Sequence, residues 1–302
     1  MFKRRLAAMA AALCSSVVLW NCGTSTPTGP SPGGGGVTPP GVVQIHAAGD
    51  IGECGFGALK TGQQLDNLAG IILALGDLAY MEGSRANFRD CYEPAWGRHI
   101  ERTRPVPGNH EYDTDRSAAG YYDYFGELAG PRGLGYYAFT AGTWRIIALN
   151  SEIPATPGSA QLQWLRAELS ANRFTCTLAY WHRPLFSSGP NGPQNNSADS
   201  PINFWRTLQE FGADVVLNGH DHMYERFDPQ DVDGKANPNG IREFIAGTGG
   251  AHLYTPGAPK PNSVMRASVY GILTMTLSAN SYQWDFAPVG NTFRDTGPGA
   301  CH

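Results

Sequence analysis

The stretch AGIILALGDLAY, residues 69–80, runs from a continuous apolar segment into a Gly-Asp pair and then Tyr80. An apolar run of this length, without polar alternation, is typical of a strand that is covered on both faces. The same design, an apolar run before a polar side chain that can bind metal, recurs in four stretches: VVQIHAAGD (42–50), TRPVPGNHEY (103–112), CTLAYWHRP (176–184) and ADVVLNGHDH (213–222). The repeated pattern predicts an α/β fold.

Amphipathic segments lie between these strands. Apolar residues at three- and four-residue spacing predict helices over residues 58–70, 159–172 and 200–213. Ser159 and Ser200 are candidate N-caps, with Pro201 at the first helical position. Residues 135–151 predict a hairpin around Ala141-Gly142, and strands without helices follow residue 240. We therefore expect one α/β domain over residues 42–302.

Near its end, each of the five quoted stretches has a side chain that can bind metal. These side chains are Asp50, Asp77, Asn109, His182 and the pair His220 and His222. Ligands bind at the carboxyl ends of strands in α/β sheets, so we expect these groups to lie together. Oxygen and imidazole donors without thiolate suit Zn, Fe or Mn. There are too many donors for one ion and about enough for two, an arrangement typical of phosphoryl transfer.

In chain order, the motifs GDIG, GDLAY, GNHE, WHRP and GHDHMYER resemble the five motifs of the purple acid phosphatases, which are calcineurin-like metallophosphoesterases. The resemblance runs from Gly49 to Arg226, and GTGGAHLYT (247–255) is similar to the bacterial members. GDLAY is the most diagnostic motif, because most metallophosphoesterases lack its tyrosine. The resemblance implies a four-layer α/β/β/α sandwich with mixed sheets and a metal centre at their edge.

The resemblance also implies a role for each donor. It implies that a first ion, Fe(III), is held by Asp50, Tyr80 and His222, and that Asp77 bridges both ions. A second ion, divalent Zn, Mn or Fe, would be held by the remaining donors: Asn109, His182 and His220.

The resemblance further implies that a metal-bound hydroxide attacks phosphorus. Asn109 and His110 would contact the phosphate, and His110 would be the catalytic residue that protonates the leaving group. Arg183 has two interpretations, a contact to substrate phosphate or a structural ion pair beside a ligand. Asp221, between the two histidines of GHDH, is expected to point away from the metals.

The expected activity is hydrolysis of phosphomonoesters, of the acid phosphatase type, on a small phosphorylated substrate with release of inorganic phosphate. Two alternatives stay open: a phosphodiesterase or nucleotidase with the same centre, and a non-catalytic surface binding protein that retains the fold. The loop 187–200 lacks the histidines that plant members carry there, which leaves the substrate open. A formal charge of -4 argues against nucleic-acid binding.

The amino-terminal segment predicts export. Residues 1–21 have the basic start and the short apolar run of a signal peptide, and residues 22–41 resemble a flexible tether. Cys22 is a candidate lipid anchor, so we expect a periplasmic or outer-surface lipoprotein, or a secreted protein. Four further cysteines allow three pairings, of which we favour Cys54–Cys91 and Cys176–Cys301.

The remaining histidines are not expected to bind metal, because none has a ligand-type partner by spacing. They are His46, His99, His252 and His302, of which His252 follows Gly-Gly and is the likeliest to lie near the site.

Overall fold

Two mixed β-sheets carry all five predicted strands in the computed structural model of this chain. The structure describes residues 41–171, 174–192 and 200–302, without the side chain of Ser200. The predicted signal peptide, Cys22 and all of the predicted tether except Gly41 lie outside the described residues, as do residues 193–199 of the loop 187–200. Their predicted roles, and the domain boundary at residue 42, stay predictions.

Thirteen strands lie within the described residues. They are β1 (Val43–Ala48), β2 (Ile71–Leu75), β3 (Thr103–Val106), β4 (Tyr137–Ala141), β5 (Trp144–Ala148), β6 (Cys176–Tyr180), β7 (Val215–Asn218), β8 (Tyr224–Phe227), β9 (Arg242–Ala246), β10 (Ser263–Ala267), β11 (Gly271–Leu277), β12 (Ser281–Pro288) and β13 (Asp295–Ala300). The helices are α1 (Phe56–Leu65), α2 (Arg85–Asn87), α3 (Glu93–Trp96), α4 (Ala119–Phe125), α5 (Ala160–Ala171) and α6 (Ser200–Glu210), with a π-helical turn at Phe88–Tyr92 and 3₁₀ turns at Gly97–Arg102 and Gly126–Ala129.

Each sheet combines a parallel part with an antiparallel part. The first has the order β13-β12-β11-β1-β2-β3, and β1, β2 and β3 are parallel. The second has the order β10-β8-β9-β7-β6-β5-β4, and β5, β6, β7 and β9 are parallel. The predicted strands therefore divide between the sheets, three in the first and two in the second.

Alternating side chains of the predicted strands build three layers of core. Leu73 of β2 and Leu178 of β6 lie in the core between the sheets. Ile72 lies in a second core against α1, α3 and α4, and Ala179 lies in a third core against α5 and α6. Neighbours along a strand point to opposite faces, so a continuous apolar run places the strand between two apolar layers. The expected four-layer α/β/β/α sandwich is confirmed.

The predicted helices differ from the structure mainly at their ends. The helix expected over residues 58–70 ends at Leu65, because Asp66 and Asn67 favour turns over helix continuation. The hydroxyl oxygen of Ser159 accepts a hydrogen bond from the backbone N–H of Leu162, as a cap does. The hairpin is confirmed, since β4 pairs with β5 and Gly142 takes the turn with a φ of +62°.

Two disulfides have the favoured pairing. Cys54–Cys91 joins the loop after β1 to the π-helical turn, and Cys176–Cys301 joins β6 of the second sheet to the residue after β13 of the first. Two disulfides indicate an exported protein. Within the residues the structure describes, no helix is both long and apolar enough to cross a membrane.

Candidate metal centre

The candidate metal ligands follow directly after the strands that carry them. Asp50, Asp77, His182 and His220 each lie two residues beyond the last residue of β1, β2, β6 and β7, and Asn109 lies three residues beyond β3. These five strands run parallel within their sheets, so their carboxyl ends meet at one edge. The structure brings together all the donors that the sequence pattern selected.

Three of these residues have left-handed backbone. Asp50, Asp77 and His220 have φ values of 58°, 51° and 72°. This conformation costs a non-glycine residue on the order of 1–3 kcal/mol and clusters at functional sites.

The glycines that precede the ligands leave room for neighbouring ligands. A Cβ atom on Gly76 would lie 2.6 Å from Nδ1 of His182. A Cβ atom on Gly219 would lie 2.7 Å from Oδ2 of Asp50. Side chains at these two positions would therefore displace the donors, which explains the glycine in GDLAY and in GHDH.

One group of donor atoms surrounds the phenol of Tyr80. Its hydroxyl lies 2.9 Å from Oδ1 of Asp50, 3.0 Å from Nε2 of His222 and 3.3 Å from Oδ2 of Asp77. Nδ1 of His222 donates to the carbonyl oxygen of His252 at 2.7 Å. That hydrogen bond fixes the tautomer and leaves the lone pair of Nε2 facing the group.

A second group surrounds the imidazole of His182. Its Nε2 lies 3.0 Å from Oδ2 of Asp77 and 3.2 Å from both Oδ1 of Asn109 and Nδ1 of His220. Its Nδ1 donates to the carbonyl oxygen of Leu75 at 2.9 Å. Oδ2 of Asp77 belongs to both groups, the position that a bridging carboxylate would take.

The donor separations fit two metal ions. Donors 2.0–2.2 Å from an ion lie about 2.8–3.6 Å from one another in tetrahedral or octahedral geometry, and the separations observed are 2.9–3.3 Å. Asp50 and Asp77 are also almost fully buried, and buried carboxylates need a nearby cation. Asp77, His182 and His220 together form a group able to hold an ion.

The electrostatics of the centre prepare its histidines differently. Burial, then the charges of His182 and Arg183, lowers the pKa of His220 to about 3, so its imidazole is neutral and has a lone pair to donate. Burial also acts to lower the pKa of His182, but the neighbouring carboxylate of Asp77 outweighs it and raises the pKa to about 10. A metal ion would take the place of that proton.

A cavity of about 250 Å³ opens beside the two donor groups. Eight residues line it: Asp77, Asn109, His110, Arg183, Asn191, His220, His222 and Tyr254. His110 and Arg183, predicted to contact substrate, are both in its wall. Asn191 and Tyr254 were not predicted from the sequence, because Asn191 belongs to no motif and the tyrosine of GTGGAHLYT was given no role.

His110 presents one nitrogen to the cavity. Its Nδ1 donates to the carbonyl oxygen of Met81 at 2.5 Å, and its Nε2 lies 3.8 Å from Oδ2 of Asp77. The ring packs against that of Tyr80 with centroids 4.5 Å apart. The imidazole is therefore held on two sides, with Nε2 toward the metal donors.

Arg183 makes the ion pair of one interpretation, and its guanidinium also lines the cavity. Its Nε donates to the two carboxylate oxygens of Glu152 at 3.0 and 3.1 Å. Its Nη1 lies 3.2 Å from Nε2 of His220, at the cavity wall. The ion pair therefore orients a guanidinium group that also faces the cavity.

Glu111, the last residue of GNHE, supports the centre through buried contacts, and the sequence reasoning gave it no role. Its buried carboxylate accepts backbone N–H groups from Asp77 (3.0 Å), Leu78 (2.9 Å), Ala79 (3.3 Å) and Gly108 (2.7 Å). Burial, then the charge of Asp77, raises its pKa to about 7. Glu111 thus joins the loop after β2 to the loop after β3. An acidic residue next to Asn-His in a buried loop was the available signal.

The other histidines lie where the sequence indicated. His46, His99 and His302 have partners away from the centre: Thr274 and the carbonyl of Ala69 for His46, the carbonyl of Gly62 for His99, and Asp214 for His302. His252 lies beside the centre, where its carbonyl accepts from His222 and its ring contacts Glu53.

Comparison with known proteins gives one family. The model of the calcineurin-like phosphoesterases matches residues 44–224. Purple acid phosphatase 15 of Arabidopsis thaliana is 24% identical over 295 residues, covering 84% of this chain and 55% of that protein. Purple acid phosphatase 18 of the same plant is 28% identical over 261 residues, covering 78% and 57%. The chain spans about half the length of these curated relatives, and it is distantly homologous to purple acid phosphatases over most of its own length.

Solved structures show the same fold. Purple acid phosphatase PPD1 from yellow lupin seeds has a TM-score of 0.72 at 18% identity, covering 86% of this chain and 55% of that one. GAP50, the anchor in the inner membrane complex of Plasmodium, has a TM-score of 0.67 at 15% identity, covering 86% and 89%. At such identities the likeness establishes the two-sheet α/β architecture alone.

Proposed function

Because this chain belongs to the calcineurin-like phosphoesterase family, we propose that it hydrolyses phosphomonoesters at a dinuclear metal centre, as an acid phosphatase. The observation that supports this most is the pair of donor groups that share Oδ2 of Asp77 beside a polar cavity. The family implies metal ions and a phosphoester substrate, and the choice of monoester and of metals is our proposal.

We assign the donors to two ions according to the two groups. Asp50, Tyr80 and His222 would hold Fe(III), and the phenolate of Tyr80 would stabilise that charge. The second ion, Zn, Mn or Fe in the divalent state, would be held by Asn109, His182 and His220, with Asp77 shared. When bound, the two ions supply positive charge that polarises the phosphoryl group and activates water.

His110 would act as the general acid. Because its Nδ1 donates to the carbonyl of Met81, its Nε2 carries a proton only in the imidazolium form. That form can donate a proton to the leaving oxygen. The hydrogen bond to Met81 therefore supports this role for His110.

Arg183 would recognise a monoester. Glu152 holds its Nε, so one side of the guanidinium remains directed to the cavity. A phosphomonoester carries one more anionic oxygen than a diester, and a guanidinium group binds such oxygens with charge-assisted hydrogen bonds. Arg183 would thus favour the monoester.

Two other functions remain to be separated by experiment. A phosphodiesterase or nucleotidase would use the same centre. GAP50 shares the fold and is described as an anchor, so the fold alone is compatible with a non-catalytic binding protein, and the donor groups favour catalysis. Hydrolysis of p-nitrophenyl phosphate should exceed that of bis-p-nitrophenyl phosphate. A preference for the diester would overturn the monoester proposal, and a metal-loaded protein that hydrolyses neither would favour the binding protein.

Two substitutions test the assignments within the centre. His110→Ala should lower kcat about 10²–10⁴-fold with the metal content unchanged, and His302→Ala, which alters a histidine outside the cavity, is the matched control. Tyr80→Phe should remove the visible absorption of the purified protein if Fe(III) is bound there. Unchanged turnover in His110→Ala would remove its catalytic role, and a colourless wild-type protein with two Zn or Mn would remove the iron assignment alone.

We also propose that residues 1–21 are cleaved, that Cys22 carries a lipid and that residues 22–41 tether the catalytic domain to a membrane. In the cell, the lipoprotein would face the periplasm or the outer surface, and the lipid would be its contact with the membrane. Cys22→Ser should move the protein from the membrane fraction to the soluble fraction. An unchanged distribution would leave ordinary secretion.

A further inference from the structure

Asp221 lies between the metal-binding histidines but directs its carboxylate elsewhere, as the sequence suggested. Its side chain is fully buried. Oδ2 accepts a hydrogen bond from the hydroxyl of Ser187, and Oδ1 accepts one from the backbone N–H of Asn191 at 2.9 Å. Asp221 therefore fastens residues 187–191, which we name the anchored loop, to the turn that carries His220 and His222.

The path of the anchored loop depends closely on that carboxylate. A Cβ atom on Gly189 would lie 2.3 Å from Cγ of Asp221, so the loop has no room for a side chain there. The backbone N–H of Ser188 donates to Glu225 at 2.8 Å, and its hydroxyl donates to the same carboxylate at 2.6 Å. Two buried carboxylates thus hold the loop, that of Asp221 in the turn after β7 and that of Glu225 in β8.

The anchored loop ends in the cavity, where Asn191 meets Tyr254. The side chains of Asn191 and Tyr254 line the cavity together. The ring of Tyr254 stacks on the imidazole of His222, with centroids 4.1 Å apart and an interplanar angle of 6°. The backbone N–H of Tyr254 donates to the backbone carbonyl of His222 at 2.8 Å. Asn191 and Tyr254 therefore form one wall that is attached to the metal-binding turn.

This wall differs in charge from the rest of the cavity. A phosphoryl group must reach the metal donors, and Arg183 and His110 supply positive charge beside them. Among the described lining residues, Asn191 and Tyr254 are the two that are neither metal donors nor capable of positive charge. By elimination, they are left to face the leaving group of a bound ester.

We propose, on the basis of the phosphatase function above, that Asn191 and Tyr254 select esters with an uncharged, hydroxyl-bearing or aromatic leaving group, and that Asp221 positions them. A neutral amide and a phenol can hydrogen-bond alcohols or pack on rings. They offer no charge to a leaving group that carries further phosphates, which would place anions against an uncharged wall.

The test compares kcat/KM for p-nitrophenyl phosphate and glucose 6-phosphate with kcat/KM for ATP and inositol hexakisphosphate. Wild-type protein should favour the first pair. Asn191→Ala should lower kcat/KM for that pair up to about tenfold through KM, the effect of one lost hydrogen bond. Asn191→Lys should raise kcat/KM for the polyanionic pair. Asn239→Lys adds the same charge in an exposed turn and should leave the ratio between the pairs unchanged.

The positioning role needs its own variants, because removing Asp221 also perturbs the adjacent ligands. Ser187→Ala and Gly189→Ala alter the anchored loop and substitute none of the metal donors. Both should shift the substrate ratio in the same direction as Asn191→Ala, with wild-type metal content. If these variants kept the wild-type ratio of kcat/KM between the two substrate pairs, the positioning role of Asp221 would be overturned. If Asn191→Lys left that ratio unchanged, the selection of leaving groups by Asn191 and Tyr254 would be overturned. A wild-type protein without any phosphatase activity would overturn the proposed function as well, so the two failures are distinguishable.

Discussion

Replacing Gly108 with alanine should disable the centre without changing any donor. A Cβ atom on Gly108 would lie 2.2 Å from Oδ1 of Asp77 and 2.8 Å from Cδ2 of His182. Such contacts are essentially never closer than 3.0 Å, so the carboxylate of Asp77 must move by at least about 0.8 Å. Because Asp77 is shared by both donor groups, that movement would affect both ions.

The magnitude follows from the displacement. A misplacement of about 1 Å costs on the order of 10²-fold in rate, which corresponds to about 2.7 kcal/mol of transition-state stabilisation. The extra methyl group should also lower the free energy of unfolding by about 1–3 kcal/mol, the usual cost of overpacking. We therefore expect a folded protein with a lower Tm, about one hundredth of the wild-type kcat and less bound metal.

Gly55→Ala is the matched control for this prediction. Gly55 has a φ of -111°, and the nearest atom to an added Cβ would be 4.0 Å away. Metal content, kcat for p-nitrophenyl phosphate and Tm should be measured for both variants. If Gly108→Ala kept its full metal content and turned over within about threefold of the wild type, the close packing of Gly108 on Asp77 would not matter for the centre, and the reasoning would be refuted.

Two further predictions concern stability. Removing the Cys176–Cys301 disulfide, which spans 125 residues, with paired serine substitutions should lower the free energy of unfolding by about 5 kcal/mol in a chain-entropy treatment; a loss below about 1 kcal/mol in denaturant titrations would contradict this. Burial, then the charge of Glu225, raises the pKa of Glu243 well above its usual value. The native state therefore binds the extra proton, and stability falls by up to about 1.4 kcal/mol per pH unit as pH rises above the unfolded pKa. The change that Glu243→Gln makes in the free energy of unfolding should be more favourable at pH 8 than at pH 5. An equal change at both pH values would contradict the raised pKa.

The donors could be located from the sequence because their signal is local. Asp50, Asp77, Asn109, His182 and His220 follow a strand by two or three residues, and Tyr80 and His222 follow within five. Parallel strands then bring these positions to one edge of the sheets. Asp221 was left out of the donor set because neighbouring side chains along an extended or turning segment point apart.

The cavity wall could not be located in this way. Asn191 and Tyr254 meet because buried carboxylates hold the anchored loop against the metal-binding turn. Such long-range contacts leave no periodic pattern in the sequence. The helices of residues 85–102 were equally difficult to predict, because they are three to six residues long and too short to show an amphipathic period.

The left-handed turns at Asp50, Asp77 and His220 bear on how the protein acquires its metals. Because backbone turns and the carboxylate of Glu111 set the donor positions, the fold does not depend on one ion to shape the centre. We therefore expect the occupancy of the centre by different ions to vary with their supply where the chain matures, with Fe(III) favoured beside Tyr80. Preparations from media of different iron, zinc and manganese content should share one structure while differing in colour and specific activity.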